Sequence, residues 1–210
     1  MIYLEKALDN ALDELKVAKK YQLFVKEYLR LLKEKGQYTC DHSIRVGLNC
    51  KEAGEKLNED PEWLVYVGLE DPRWLCYSGL FHDIGKIGVE DDILKNQKFD
   101  EKDMEKMAMH PQIGYLMIKE DFRLTALVIL KHHYYQKNQY PKIKNLKSCF
   151  DEKTLKKVDR YAKIVTIFDN DDAKSRLNNY NELDNHLNKK SMDSEMMLLI
   201  SKLREFKMLK

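Results

Sequence analysis

Two pairs of adjacent residues carry most of the chemistry legible in this chain: His82-Asp83, followed at once by Ile84-Gly85-Lys86, and His132-His133. Neighbours on a regular helix point about 100° apart, so both members of a pair reach one centre only where a helix ends or kinks. Gly85 supplies such an end for the first pair. Imidazole with carboxylate suits a borderline divalent ion such as Fe, Mn, Zn or Ni. A carboxylate can also bridge two ions, as two-metal hydrolysis requires. Lys86 is a point cation placed to meet a phosphate oxygen. Asp169 follows the apolar run Ile164-Val165-Thr166-Ile167-Phe168, where a carboxylate is costly unless a cation or metal compensates it. Each feature alone has a plain structural explanation: a lone histidine on a helix is commonly a surface or core residue, and an aspartate after an apolar run commonly caps a helix or meets solvent. Histidine-bearing segments ending three helices that must be buried are hard to explain singly. His186, in Asp184-Asn185-His186-Leu187-Asn188, lacks such surroundings and reads as exposed and structural.

The elements that must position these residues read as helices. Gly and Pro total only 8 and 4 in 210 residues, roughly half of average usage, too few for the turns of a β-sandwich or barrel. Residues 2–35 contain neither and read as one long helix: Leu4, Leu8, Ala11, Leu15, Ala18, Val25, Leu29 and Leu32 follow a 4-3-4-3 spacing interrupted only at Gln22. This seam suits either a coiled-coil homodimer through residues 2–35 or packing of the helix on its own domain. Lys35-Gly36 ends it. A helix from His42 to about Leu57 follows. Asp60-Pro61 and Asp71-Pro72 each pair an N-cap with proline at the first helical position; the second starts a helix that ends at Gly85. Further helices are expected over 100–109, 111–119, 121–133 and 154–169, with a short terminal helix holding Met196, Leu199 and Leu203. The Lys-rich stretch 136–153 reads as a long functional loop, and 174–192 as a polar, partly ordered segment.

Composition narrows the function classes. Lys+Arg total 37 against 35 Asp+Glu, a net charge of +2, without the clustered basic excess of a large nucleic-acid partner. The chain is 43% hydrophobic and 34% charged, enough apolar surface to offset chain entropy. No apolar run reaches the roughly 18 residues of a membrane span, and Met1-Ile2-Tyr3-Leu4-Glu5-Lys6 lacks a signal-peptide layout. Cys40, Cys50, Cys76 and Cys149 are scattered, with no C-x-x-C pair, which suggests neither a disulfide framework nor a thiolate zinc site and makes a reducing cytoplasm the expected compartment.

Five stretches resemble, in order and spacing, the motifs of a known family: His42-Ser43-Ile44-Arg45-Val46; Gly79-Leu80-Phe81-His82-Asp83-Ile84-Gly85-Lys86-Ile87-Gly88-Val89; Met109-His110-Pro111-Gln112-Ile113-Gly114; Ile129-Leu130-Lys131-His132-His133; and Lys163 to Ala173, with Asp169 and Asp172 at its two aspartate positions. Over residues 38–176 the chain resembles the HD superfamily of metal-dependent phosphohydrolases, and within it the HD-GYP group. The resemblance implies an all-α HD-domain helical bundle over 37–210, preceded by the long N-terminal helix of residues 1–36. It implies that His42, His82, Asp83 and Asp169 hold one ion and that Asp83, His110, His132 and His133 hold the other, with Asp83 bridging. The cofactors would be two divalent transition metals, Fe or Mn first and Ni or Zn as alternatives. The implied reaction is hydrolysis of a phosphate ester, a cyclic dinucleotide or another nucleotide, by a hydroxide activated by two metals. Asp83 and Lys86 would be catalytic, and Lys86, Arg45, Tyr134 and Tyr140 would bind substrate.

Two departures bear on substrate and metal count. Family members with a third metal carry glutamate one turn before the first histidine, where this chain has Tyr38, so two metals are expected. The loop after the paired histidines reads Tyr134-Tyr135-Gln136-Lys137-Asn138-Gln139-Tyr140-Pro141; it keeps Tyr-Pro but neither glycine nor acidic residue, so cyclic di-GMP is not a given substrate. Tyr134 and Tyr135 suit either base stacking or packing. Two other readings share the ligand set: an HD-type di-iron oxygenase, in which Lys86 has no evident use, and a metal-retaining, non-catalytic signalling module, against which the complete ligand set argues.

Overall fold

The computed structural model describes residues 2–68, 71–95, 100–135, 140–141, 150–177 and 194–209. The described elements are helical: α1 (Ile2–Glu14), α2 (Lys19–Lys35), α3 (Gln37–Glu59), α4 (Pro61–Val67), α5 (Pro72–Phe81), a 3-10 segment (Ile84–Gly88), α6 (Asp91–Lys95), α7 (Glu101–Met107), α8 (His110–Ile118), α9 (Arg123–Lys131), α10 (Glu152–Leu177) and α11 (Ser194–Glu205). No strand occurs among the described residues, in agreement with an all-α HD-type bundle. None of these helices is long and apolar enough to cross a membrane. Most of the 136–153 loop, the 178–193 stretch with His186, and Cys149 lie outside the described residues.

The helix starts follow local chemistry. Asp60 accepts from the Glu62 and Trp63 amides, Asp71 from the Arg73 amide, and Asp100 forms a capping box with Asp103. α10 starts behind Asp151, which accepts from the Thr154 amide, and it runs well past the predicted end at 169. α3 likewise starts earlier than predicted, at Gln37.

The expectation of one helix over 2–35 is corrected by the structure, which has two helices there. Lys16 adopts φ 51°; the Val17 amide bonds Leu12 O (2.9 Å) and the Lys16 amide bonds Asp13 O (2.9 Å). This is a Schellman ending with lysine where glycine is usual, closed by the buried contact side chains Leu12 and Val17. Gln22, the break in the seam, fastens the corner by donating to Val17 O (3.0 Å) and Asp13 Oδ1 (2.9 Å). α2 then folds back along α1, with Lys26 paired to Asp9 and Lys33 to Glu5. The seam residues Leu8, Val25, Leu29 and Leu32 are buried within the chain itself, in a core shared with Ile44, Phe81, Ile84 and Phe122.

A second core joins α3, α9, α10 and α11 through Val46, Leu57, Leu127, Phe168 and Leu203. α9 serves both cores, giving Leu127 and Val128 to one and Ala126 and Ile129 to the other. α3 and α5 cross in direct backbone contact: a Cβ on Gly79 would lie 2.8 Å from both the Gly47 Cα and the Val46 carbonyl oxygen. That approach brings the end of α5 against the first turns of α3, where His42 sits.

Candidate metal centre

α5 does not run on to Gly85 as the sequence suggested. It stops at Phe81; His82 closes it in helical conformation, and Asp83 takes the bridge region (φ −100°, ψ 4°) before the chain tightens into the 3-10 segment. This change of pitch lets two adjacent side chains face one centre. Gly85 then passes so close to α8 that a Cβ there would lie 1.8 Å from His110 O and 2.6 Å from Gly114 N. His110 is thereby set beside Asp83, their nearest atoms, Nε2 and Oδ1, 3.4 Å apart. His132 and His133 follow the last turn of the buried helix α9. Asp169 lies inside α10, one turn after Thr166. The buried Thr166 hydroxyl donates to the His132 carbonyl and ties α10 to the histidine pair.

The seven residues expected as ligands come together in two groups. Asp83, His110, His132 and His133 form one, and His42, His82 and Asp169 the other; within each group the ligand atoms lie within 4.8 Å of one another. Asp83 spans the groups, with Oδ1 toward His110 and Oδ2 3.5 Å from His82 Nε2 and 3.9 Å from His42 Nε2. All five histidines among the described residues belong to the centre.

Their hydrogen bonds define the ring orientations. His82, His110 and His132 place Nδ1 2.8, 2.8 and 2.5 Å from the carbonyl oxygens of Gly79, Met107 and Ile129, three residues back. A carbonyl only accepts, so Nδ1 carries the proton and Nε2 presents its lone pair inward. Burial holds all three rings below the ordinary histidine pKa, His110 down to about 3, so they stay neutral. Inward-facing Nε2 atoms lie 3.1 Å apart between His42 and His82 and 3.4 Å apart between His110 and His132. Two nitrogens each about 2.1 Å from one ion would be about 3.0–3.4 Å apart in octahedral or tetrahedral geometry. Converging neutral imidazoles with fixed outer protons, joined by carboxylates, fit divalent ions.

The carboxylates are anionic. Burial pushes the Asp83 carboxyl up, but Lys86, His82, His110 and His42 outweigh it and hold it well below the usual range. Asp169 is lowered likewise, burial being overcome first by the His42 hydrogen bond and then by the imidazoles of His82 and His42 around it. Burial opposes a charge on His42, but Asp169 and Asp172 carry its pKa up to about 9: the surrounding carboxylates favour a cation here.

The expected substrate contacts divide. Lys86 Nζ lies 2.6 Å from Asp83 Oδ2, at the centre. The Tyr140 ring stacks on His133 (4.4 Å between centroids) and stands edge-on to His110 (6.0 Å). Burial first, then Asp83 and Asp169, raise its pKa, so it presents a neutral hydroxyl. Arg45, by contrast, is engaged with Asp172. Tyr134 is 41% exposed, with its ring against Tyr135 and Lys131 and outside both ligand groups. Tyr135 packs, buried, with its hydroxyl on Asp159. Tyr38 is half-exposed and brings no carboxylate to the turn before His42.

Sequence reasoning gave Asp172 no role beyond a family position. In the structure it accepts from His42 Nδ1 (2.7 Å). The signal was its i+3 spacing from Asp169, which puts both carboxylates on one face of α10.

A family model described as "HD domain" matches residues 39–174, a span that includes all seven ligand positions. No curated protein matches the chain.

Proposed function

The chain belongs to the HD-domain family, and from that premise we propose that it is a metal-dependent phosphohydrolase of HD-GYP-like type, cleaving a phosphate ester of a nucleotide or cyclic dinucleotide. The observation that carries this reading is Asp83: one buried carboxylate turns an oxygen toward each of two imidazole groups and holds a lysine beside it. Two bound divalent ions would supply Lewis-acid stabilisation of the phosphoryl charge and an activated water nucleophile. His42, His82, Asp83 and Asp169 would hold one, and Asp83, His110, His132 and His133 the other.

The protein's own groups orient the ester. Lys86 is the cation at the centre that reaches toward solvent, 23% exposed against 3% for Asp83. Its ammonium donates to a non-bridging phosphoryl oxygen and stabilises the charge that grows there as the ester oxygen leaves. This use of Lys86 favours phosphate chemistry over oxygen activation. Tyr140 walls the His110–His133 side with an aromatic face and an uncharged hydroxyl, which suits an anionic substrate better than a phenolate would.

The test is a turnover screen of the full chain loaded with Mn²⁺ or Fe²⁺, against linear and cyclic dinucleotides, cyclic mononucleotides and nucleotide monophosphates. Phosphate-ester cleavage that disappears in Asp83→Ala, together with about two transition ions per chain, is expected. Less than one ion per chain after anaerobic preparation, or turnover retained in Asp83→Ala, would count against the assignment.

A further inference from the structure

His42 is backed differently from three other imidazoles of the centre. His82, His110 and His132 rest their outer nitrogens on main-chain carbonyls, whereas His42 rests Nδ1 on the carboxylate of Asp172 (2.7 Å). Asp172, only 8% exposed, is held in turn by Arg45, whose Nε lies 2.6 Å from Oδ1 and Nη2 3.0 Å from Oδ2. The four residues form a box between two helices: His42 and Arg45 stand three apart on α3, and Asp169 and Asp172 three apart on α10. α10 therefore delivers one carboxylate to the inner nitrogen of His42, with Asp169 Oδ1 3.1 Å from Nε2, and a second to its outer nitrogen.

Carboxylates flank both nitrogens of His42; an ion at the centre would take the place of the proton that Nε2 shares with Asp169, while Asp172, which only accepts, would keep the other proton on Nδ1. An imidazole backed by a carboxylate is also a more basic ligand than one backed by an amide carbonyl. The His42 group thus combines two imidazoles, one of them backed by a carboxylate, with Asp169 and a share of Asp83. The other group combines three imidazoles with a share of Asp83 alone. Oxygen-rich, anionic surroundings suit Mn²⁺ and similar harder ions, and imidazole-rich surroundings suit Fe, Ni and Zn.

We infer that the two positions load unequally, and that Asp172 is the positioning residue that sets the His42 position apart, with Arg45 held to it as a clamp. The inference rests on the metal-centre reading above and adds an asymmetry to it. Asp172→Asn is close to isosteric. It should weaken one of two Mn²⁺ binding steps by about 10–100-fold while leaving the other in place. Calorimetric titration of the full chain reads the two steps. Electron paramagnetic resonance reads the change from a coupled two-ion signal to that of an isolated Mn²⁺, and the thermal midpoint checks the fold. Arg45→Ala should weaken the same step.

Two ions bound with unchanged affinity in Asp172→Asn would overturn this inference and leave the metal-centre reading standing; no bound ion in the wild type would overturn both. An Arg45→Ala protein with unaltered Mn²⁺ binding and a raised KM would make Arg45 a substrate contact and remove it from the clamp. A measurement on the wild type needs no variant to fold: in the Zn²⁺-loaded protein, nitrogen–proton correlation spectra should show His42 protonated at Nδ1, and an Nε2-protonated ring would overturn the assignment.

Discussion

The ammonium of Lys86 and the carboxylate of Asp83 form an ion pair of 2.6 Å across one turn of 3-10 helix, at the point where the two imidazole groups meet. The lysine is the exposed partner, so its removal should spare the ligands and strip a cation from the substrate. Lys86→Ala is expected to lower the turnover of a phosphate ester by about 10²–10³-fold with the metal content kept at the wild-type value. Steady-state kinetics and metal analysis on one preparation check this. Loss of metal in parallel with activity would show that Lys86 serves Asp83 and not the substrate.

Gly85 is the point where the His82-Asp83 segment touches α8. An alanine Cβ there would fall within 1.8 Å of a main-chain oxygen, which no side-chain rotation relieves. Gly85→Ala should therefore cost about 3 kcal/mol or more, at the upper end for overpacking. It should also part His110 from Asp83. Urea unfolding with metal analysis on the folded fraction tests both effects; a variant of wild-type stability that keeps its metals would contradict the contact.

Stability of the metal-free protein should fall with acid in a defined window. His82, His110 and His132 have folded-state pKa values below their unfolded ones. As pH drops below about 6.5, the unfolded chain gains protons that the folded chain does not, and folding weakens by up to about 1.4 kcal/mol per pH unit for each ring. His42 has the opposite sign, with a folded-state value raised to about 9. Below 6.5 it is protonated in both states and adds no slope; its own contribution is lost as pH rises toward 9. Chelator-treated protein should show a lower urea midpoint at pH 5 than at pH 6.5, and a flat profile over that interval would exclude buried neutral imidazoles.

Lys16 holds a left-handed conformation, with φ 51°, at the corner between α1 and α2. A side chain in that region is disfavoured by roughly 1–2 kcal/mol; glycine removes this cost, but its larger unfolded-state entropy cancels part of the gain. Lys16→Gly should raise stability by about 0.5–1 kcal/mol, seen as a higher urea midpoint without a change in its slope. An unchanged or lowered midpoint would mean that the Gln22 bonds, not the backbone conformation, decide the corner.

That corner also shows where sequence reasoning stopped. Residues 15–18 are Leu-Lys-Val-Ala, with no Gly or Pro, and nothing local announces a lysine in the left-handed region. The buried Gln22 was visible as a flaw in the seam, but its partners Asp13 and Val17 emerged only once the chain had turned. The centre was far more legible. His82-Asp83, His132-His133 and Asp169 announce themselves by residue type, because neighbouring imidazoles and buried carboxylates are expensive without a cation. Arg45 and Asp172 lie 127 positions apart, and only the packing of α3 on α10 shows that the arginine faces an aspartate. The caps at Asp60 and Asp71 were readable because the bonds they make are local.

His42 and Asp169, whose nearest side-chain atoms lie 3.1 Å apart, are separated by 127 residues. An ion held between them fastens the early part of the family domain to its late part, and no such site exists in an unfolded chain. Each ion bound to the folded state alone lowers the unfolded population by mass action. Metal supply would then govern how much of the protein a cell retains as well as how fast each copy works, since a starved chain would be the one that opens and is degraded.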